Sequence, residues 1–371
     1  MKRKKSSVLT IKAKILVNPV LSMLLSKTLF EYKETVNYLA HYMVLSNQSL
    51  NYTSASFEAK LPSALKNQAI QDAKSVYKKY RKTGIQSILK KPVATWNNQN
   101  WKLQDGCLEF PILLDGKSQR LSMPILMGTY QLEKLQGKLG SMRITEKSGK
   151  WMAQIAVETP EVQSVGTGVM GVDLGLKCPA VAVTDTGKTK FFGNGRLNKY
   201  MKRKFRSKRK ELGKAKKLSV ICKLDDKEQR WMKNQDHKIS RDIMSFAILN
   251  NIGIIRLENL SGIRQTARTS RKNEKNLHTW SFYRLATYIE YKAALVGINV
   301  EYVDPKYTSQ KCPGCGTLNK AKDRNYRCAC GFHTHRDRLG AINVCDAPKI
   351  HGRATVIDCG QTVIDGKSLS A

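Results

Sequence analysis

The sequence predicts an α/β domain that a cysteine-rich ribbon interrupts, preceded by an antiparallel sheet into which helices are inserted. Three observations predict this fold class: apolar residues at helical spacing near the N-terminus, short alternating runs between turns in the middle, and strands alternating with helices around clustered cysteines toward the C-terminus. A chain of 371 residues is long enough for at least two folded units with separate cores.

The charge balance limits the partners. Sixty-five Lys and Arg stand against 29 Asp and Glu, a formal net charge of +36, and such a surplus repels itself unless a polyanion neutralises it. The longest apolar runs, such as residues 252–255, are far shorter than the roughly 18 residues that span a bilayer. We therefore expect nucleic acid as the partner and no membrane. The basic N-terminus lacks the apolar core of a secretory signal, so we expect a cytoplasmic protein.

The first half of the chain changes pattern near residue 100. Apolar residues recur every three or four positions over 21–43 and again over 64–82, which predicts two helices. The second helix carries lysines on its outer face, typical either of solvation or of phosphate contact. Beyond the breaker-rich segment 84–100, alternating runs such as Trp151 to Val157 predict an antiparallel sheet, which we expect to close into a small barrel.

The second half reads as strand, hairpin, two helices, strand, helix, strand, ribbon and helix. The first strand leads to Asp173, and a hairpin follows through residue 192. Residues 196–217 hold 12 Lys or Arg and a single acid, on a background that favours helix. The run 252–257 predicts a buried strand, and a short helix follows Asp337.

Four cysteines predict a zinc ribbon. Cys312 and Cys315 form one close pair and Cys328 and Cys330 another, and a glycine follows each pair. Two such turns can place four thiolates tetrahedrally around one zinc ion. Only one residue separates the second pair, so His333 and His335 are alternative ligands. Clustering of this kind favours metal binding over disulfides.

Three acids stand at the ends of predicted elements: Asp173, Glu258 and Asp337. Carboxylates are the ligands that Mg²⁺ prefers, and two Mg²⁺ ions can stabilise the attacking and leaving oxygens of phosphodiester hydrolysis. Each acid alone also fits a turn or a helix cap, and the segment around Asp173 equally fits a phosphate loop. Their order, with a ribbon directly before the third, favours one shared site.

At these residues the sequence resembles the TnpB nucleases, which are encoded by transposons, and the related compact type V CRISPR effectors. Gly171-Val-Asp-Leu-Gly175, Leu257-Glu-Asn-Leu-Ser-Gly262, the segment Asp304 to Cys315, and His335-Arg-Asp337 with Gly340-Ala-Ile-Asn343 look like the three RuvC motifs and zinc finger of that family. The resemblance covers about residues 169–345. Leu339 departs from it, because many members have asparagine there.

The resemblance implies an RNA-guided DNA endonuclease. It implies a RuvC (RNase H-like) nuclease domain at 166–307 and 333–371, a zinc ribbon at 308–332, a wedge-like β-barrel at 1–18 and 96–165, and a helical recognition insertion at 19–95. Asp173, Glu258 and Asp337 would bind two Mg²⁺, and guide RNA and target DNA would be the partners, in a prokaryotic cell at its nucleoid. The alternatives are a guide-dependent regulator that does not cut, and a transposon-associated nuclease that needs no RNA.

Nucleic acid held through its backbone requires a positive channel rather than base-reading side chains. The basic helix at 196–217 is the candidate for part of that channel; a nonspecific phosphate-binding surface is the alternative. The residues expected to contact nucleic acid are Lys202, Arg203, Lys204, Arg206, Lys208, Arg209 and Lys210.

Overall fold

The computed structural model divides into two compact units, Met1–Pro160 and Glu161–Ala371, which we call the N-terminal and C-terminal units. It describes residues 7–147, 149–160, 162–163, 166–260, 282–321 and 323–348, with the backbone alone at 225 and 226.

Seven strands form an antiparallel sheet in the N-terminal unit. They are β1 (Ser7–Ile15), β2 (Val93–Trp96), β3 (Lys102–Gln104), β4 (Cys107–Leu114), β5 (Lys117–Leu126), β6 (Lys138–Lys147) and β7 (Lys150–Thr159). The order across the sheet is β2-β6-β7-β1-β5-β4-β3. Strand β1 pairs with β7 along its whole length and with β5 at its C-terminal end. The first strand of the chain therefore joins two sets of strands that come much later in the sequence.

In the sequence, two long helices lie between β1 and the other strands of this sheet. The helices of the unit are α1 (Pro19–Ser46), α2 (Ser63–Thr83) and the short α3 (Thr129–Lys134). Helix α1 begins where Asn18 accepts a hydrogen bond from the Leu21 amide, with Pro19 at the first helical position. Leu25 and Leu29 on α1 share one apolar core with α2 and with alternate residues of β7. The residues between β1 and β2 therefore pack onto the sheet they interrupt.

Five strands form a mixed sheet in the C-terminal unit. They are β8 (Gly168–Asp173), β9 (Ala180–Thr184), β10 (Thr189–Phe192), β11 (Ile252–Glu258) and β12 (Asn299–Val303), in the order β10-β9-β8-β11-β12. Strands β8, β11 and β12 pair in parallel, whereas β9 pairs antiparallel to β8 and β10 pairs antiparallel to β9. The carboxyl ends of the three parallel strands therefore meet at one edge of the sheet.

Helices cover both faces of this sheet. The described helices of this unit are α4 (Gly195–Lys214), which packs on α5 and not on the sheet, α5 (Leu218–Leu249), α6 (Phe282–Leu295) and α7 (Arg336–Asp346). The ribbon between β12 and α7 contains β13 (Asn325–Arg327) and β14 (His333–His335). Ala180 and Ala182 of β9 belong to a core with α5 and α6, whereas Val181 and Val183 contact Ala341 of α7. Burial on both faces explains why these strands are apolar without alternation.

Helix α7 crosses β8 with almost no space between the backbones. A Cβ atom at Gly171 would lie 2.3 Å from the carbonyl oxygen of Ala341 and 2.3 Å from the amide nitrogen of Cys345. Only glycine fits there, because those neighbours are backbone atoms and cannot move aside. The glycine of the Gly171-Val-Asp173 motif is thus explained by packing.

The structure confirms the two N-terminal helices and the order of elements in the second half, within the residues it describes. The antiparallel sheet is also observed, with β2 starting at Val93; its closure into a barrel stays a prediction. The extent expected for the basic helix, 196–217, is wrong: α4 ends at Lys214, and Lys216 takes a left-handed conformation with φ of 54° before α5 begins. None of the described helices is both long enough and apolar enough to cross a membrane.

Candidate functional site: a buried carboxylate cluster beside a four-cysteine ribbon

Asp173 and Glu258 end neighbouring parallel strands. The register pairs Val172 of β8 with Leu257 of β11, so the two acids follow at the same level of the sheet. Asp173 then leads into a loop whose next residue, Leu174, is buried. The strand ends therefore bring together two carboxylates that stand far apart in the sequence.

Asp337 joins them through α7. The glycine one turn after it, Gly340, lies against the Asp173 side chain: a Cβ at Gly340 would be 3.1 Å from the carboxylate carbon of Asp173. His335 is the N-cap of this helix, and its Nδ1 accepts a hydrogen bond from the Asp337 amide at 3.2 Å. Arg324, from the ribbon, donates to both carboxylate oxygens of Asp337, at 2.5 and 2.7 Å.

Burial makes Asp173 and Glu258 resist ionisation. Burial raises the pKa of Asp173 well above its usual value, and the neighbouring Glu258 and Asp337 raise it further, against the cations Arg336 and Arg324. Burial also raises the pKa of Glu258, while a hydrogen bond from Thr308 lowers it. A cation bound among these carboxylates would relieve both the burial cost and their mutual repulsion.

Two residues that contact the cluster, and a third that holds the loop of one of them, carried no assignment from the sequence. Thr308 donates to Glu258, Arg324 holds Asp337, and the Asn343 carboxamide donates to the carbonyl oxygens of Thr308 and Lys311. Thr308 and Asn343 lie within the quoted motifs, which was the only signal for them. Arg324 lies in the ribbon among other basic residues, and nothing in the pattern distinguished it.

The four cysteines are gathered as a metal site. Their sulfur atoms lie within 4.8 Å of one another, and within the described ranges no other group of three or more His, Cys, Asp or Glu is drawn together so closely. The Cys312–Cys330 and Cys315–Cys328 sulfur separations are 3.6 and 3.5 Å. Tetrahedral zinc with Zn–S bonds of about 2.3 Å requires sulfurs roughly 3.8 Å apart, so the four residues fit the ion.

The neighbouring histidines are occupied differently. His335 caps α7 and packs edge-on against Phe191, with ring centroids 5.3 Å apart. His333 is exposed at the start of β14. Hydrogen bonds led by the Thr317 hydroxyl lower the pKa of Cys315 to about 6, so this thiol is readily ionised. The alternative of histidine ligands is therefore not supported by the geometry, despite the short spacing of Cys328 and Cys330.

The basic helix α4 has two distinct faces. The inner face, at helical spacing, includes Phe205 and Leu212 and also two of the predicted nucleic-acid contacts, Lys202 and Arg209. Arg209 is paired with Glu228 of α5 at 2.6 Å, and burial lowers the pKa of Lys202. The other five predicted contacts are exposed: Arg203, Lys204, Arg206, Lys208 and Lys210.

The raised pKa of Asp173 predicts a pH effect on stability without divalent metal. A group whose pKa is raised in the folded chain contributes stability below its ordinary value, here 3.8, and that contribution is lost as pH rises through the folded value. In buffer without added Mg²⁺ or Ca²⁺, Asp173→Asn should therefore unfold at a higher temperature than wild type near neutral pH, with a difference that grows from acid to neutral pH. Calorimetry over this range measures it.

Asp242→Asn is the matched control, because Asp242 is exposed on α5. Its difference from wild type should stay small and flat with pH. An Asp173→Asn difference that did not change with pH would contradict the electrostatic account of the cluster.

Comparisons with known proteins agree with these features. Residues 282–344 match the family model described as Cas12f1-like, TNB domain. Among curated relatives, a CRISPR-associated endodeoxyribonuclease Cas12f1 from an uncultured archaeon is 28% identical over 249 residues, 61% of this chain and 46% of the relative. TnpB-like protein MJ0751 of Methanocaldococcus jannaschii is 34% identical over 149 residues, 39% of this chain and 53% of the relative.

InsQ of Escherichia coli K12 matches more of the chain, with 24% identity over 345 residues, 86% of this chain and 81% of InsQ. The chain spans about half the length of the Cas12f1 and TnpB-like relatives. A solved Cas12f1–sgRNA–target DNA complex contains a chain with the same fold, with TM-score 0.67 at 14% identity over 92% of this chain and 99% of that one. The resemblance to TnpB proteins and compact type V effectors, first seen in the motifs, is thus confirmed: the chain is TnpB-like in sequence and Cas12f1-like in fold.

Proposed function

We propose that the chain is an RNA-guided DNA endonuclease that hydrolyses phosphodiester bonds in guide-matched DNA and requires Mg²⁺. The observation that carries the proposal is that Asp173 and Glu258 end neighbouring parallel strands, with Asp337 of α7 close enough to raise the pKa of Asp173. Carboxylates buried side by side cost folding free energy unless a cation or proton neutralises them. A metal-binding role accounts for that arrangement.

The three carboxylates would hold two Mg²⁺ ions, because hard oxygen ligands suit this metal. Bound Mg²⁺ would supply Lewis-acid stabilisation of the attacking and leaving oxygens of the phosphodiester. The protein's part is to hold the ligands: Thr308 favours the ionised form of Glu258, and Arg324 balances the charge of Asp337. The departure at Leu339 does not remove a ligand, since that side chain is buried in the small core of the ribbon.

Guide RNA and target DNA are the proposed partners. The Cas12f1 relatives are named endodeoxyribonucleases, InsQ bears the name of an RNA-guided DNA endonuclease, and the structure with the shared fold is a complex with sgRNA and target DNA. The net charge of +36 supports polyanionic partners independently of these names. The exposed cations of α4 would line part of the backbone-binding channel.

The domain assignment follows the same proposal. Residues 166–307, which contain the mixed sheet, would form the RuvC (RNase H-like) nuclease domain together with residues 333–371. Residues 308–332 would be its zinc ribbon. The antiparallel sheet at 1–18 and 96–165 would be a wedge-like barrel, with 19–95 as a recognition insertion. The order β10-β9-β8-β11-β12, with acids ending β8 and β11, supports the first of these assignments.

Cleavage tests the proposal directly. The chain, purified with RNA from cells that carry its native flanking DNA, should cut plasmids that match that RNA in Mg²⁺. Asp173→Asn should lower the cleavage rate by about 1,000-fold or more, because it removes a ligand of the metals that stabilise the transition state. RNA binding by this variant should be unchanged in a filter assay.

Asp242→Asn again serves as the control and should cut like wild type. Tight guided binding without any cleavage by wild type would make the chain a regulator. Cleavage that needs no bound RNA would make it an unguided nuclease. Wild-type cleavage by Asp173→Asn would contradict the site assignment.

The ribbon should carry one structural zinc. Elemental analysis of the purified chain should find about one zinc per molecule, since four thiolates close the coordination sphere. Cys315→Ser should bring the zinc content well below one, whereas Cys222→Ser should leave it unchanged, because Cys222 is an exposed cysteine of α5 outside the cluster. A wild-type chain with much less than one zinc would overturn this assignment.

Removing charge from the outer face of α4 should weaken RNA binding in a salt-dependent way. The triple variant Arg203→Gln, Arg206→Gln and Lys210→Gln changes exposed side chains on one helical face. Each lost phosphate contact should reduce the slope of log affinity against log salt by about 0.7 to 0.9. Filter binding at several salt concentrations measures it. Arg209→Gln should instead lower thermal stability and leave the slope unchanged, because Arg209 is paired with Glu228.

A further inference from the structure

Thr308 makes a short hydrogen bond to a carboxylate of the cluster. Its hydroxyl lies 2.5 Å from Oε1 of Glu258 and 3.1 Å from the carbonyl oxygen of Pro305. A hydroxyl has one hydrogen to donate, and the Glu258 carboxylate is both the nearer and the stronger of the two acceptors. The hydroxyl therefore donates to Glu258. Thr308 is only 7% exposed, so water does not readily replace this bond.

The loop that carries Thr308 is fastened from two other sides. Asn343 of α7 uses its carboxamide for both Thr308 and Lys311, donating to their carbonyl oxygens at 2.6 and 2.8 Å. From the ribbon, the Tyr326 hydroxyl donates to the Gln310 carbonyl at 3.1 Å. The loop therefore links the helix of Asp337, the base of the ribbon and the side chain of Glu258.

The backbone before Thr308 adopts a conformation that few residues take. Tyr307 has φ of 63°, in the left-handed region, which is unfavourable for a bulky side chain. Gln310 and Lys311 both donate to its carbonyl oxygen and close the turn. Strain of this kind persists where the surroundings enforce it, and it often accompanies a functional position.

A glutamate has three side-chain torsions, and Glu258 is buried next to another carboxylate that repels it. We propose that Thr308 is a positioning residue: its hydroxyl, held between α7 and the ribbon, fixes the Glu258 carboxylate in the orientation that binds divalent metal. This inference rests on the proposed metal-dependent function. Thr308, which precedes the first cysteine pair, thus has a role toward the proposed Mg²⁺ ligand Glu258 that is separate from zinc binding.

Three variants test the inference: Thr308→Val, which keeps the shape and removes the donor; Thr308→Ser, which keeps the donor; and Thr287→Val. Thr287 is an exposed threonine of α6 whose hydroxyl bonds only to the Tyr283 carbonyl, and it is the matched control. Each chain is studied as its RNA complex. Cleavage of matched DNA is measured against Mg²⁺ concentration, and the rise in unfolding temperature on adding Ca²⁺ is measured without DNA, relative to the same rise in Asp173→Asn.

Thr308→Val should need about tenfold more Mg²⁺ for half-maximal cleavage, since loss of a hydrogen bond to a metal ligand costs metal affinity on that scale. The rise in its unfolding temperature on adding Ca²⁺ should be smaller than in wild type, and its zinc content should match wild type. Thr308→Ser and Thr287→Val should behave like wild type in all three measurements. Unchanged metal dependence in Thr308→Val, or zinc loss in that variant, would overturn the positioning role. If wild type neither cuts nor gains more from Ca²⁺ than Asp173→Asn does, the proposed function itself fails.

Discussion

The close crossing of α7 over β8 is the constraint on which the carboxylate cluster depends. At Gly171 the two backbones leave no room for a side chain, and at Gly340 the helix lies against the carboxylate of Asp173. A helix that stood farther from the sheet would hold Asp337 away from Asp173. The glycines thus decide where a charged residue lies, although neither of them has a functional side chain. The cost of this closeness is electrostatic, because it adds a third acid to a buried pair.

That cost also explains the basic residues around the cluster. Arg324 holds Asp337 and, with Arg336, opposes the rise in the pKa of Asp173. In a chain with so large a surplus of positive charge, two arginines thus lie close to buried acids instead of facing outward partners alone. Lysine and arginine can serve either to bind an external polyanion or to balance the charge of internal acids. Only the fold shows which of these a given residue does.

The sequence predicted the parts of the site that follow from periodicity. Asp173 and Glu258 end apolar runs, and parallel strands in one sheet bring their carboxyl ends together, so their proximity followed from local patterns. Thr308 and Arg324 sit in irregular segments, where spacing says nothing about direction. The run of cations that includes Lys202 and Arg209 is limited for a related reason: it does not reveal which side of the helix packs, and that side is set by Phe205, Leu212 and the partner helix α5.

The pairing of Arg209 with Glu228 has a consequence for divergence among relatives. Exposed positions of α4 can exchange lysine and arginine, because a phosphate backbone accepts either as a positive charge. Arg209 cannot change so freely: its guanidinium fits a carboxylate on the neighbouring helix, and loss of either partner leaves the other charge partly buried. We therefore expect positions 209 and 228 to vary together among relatives, which would make the inner face of this helix more constrained than its exposed cations.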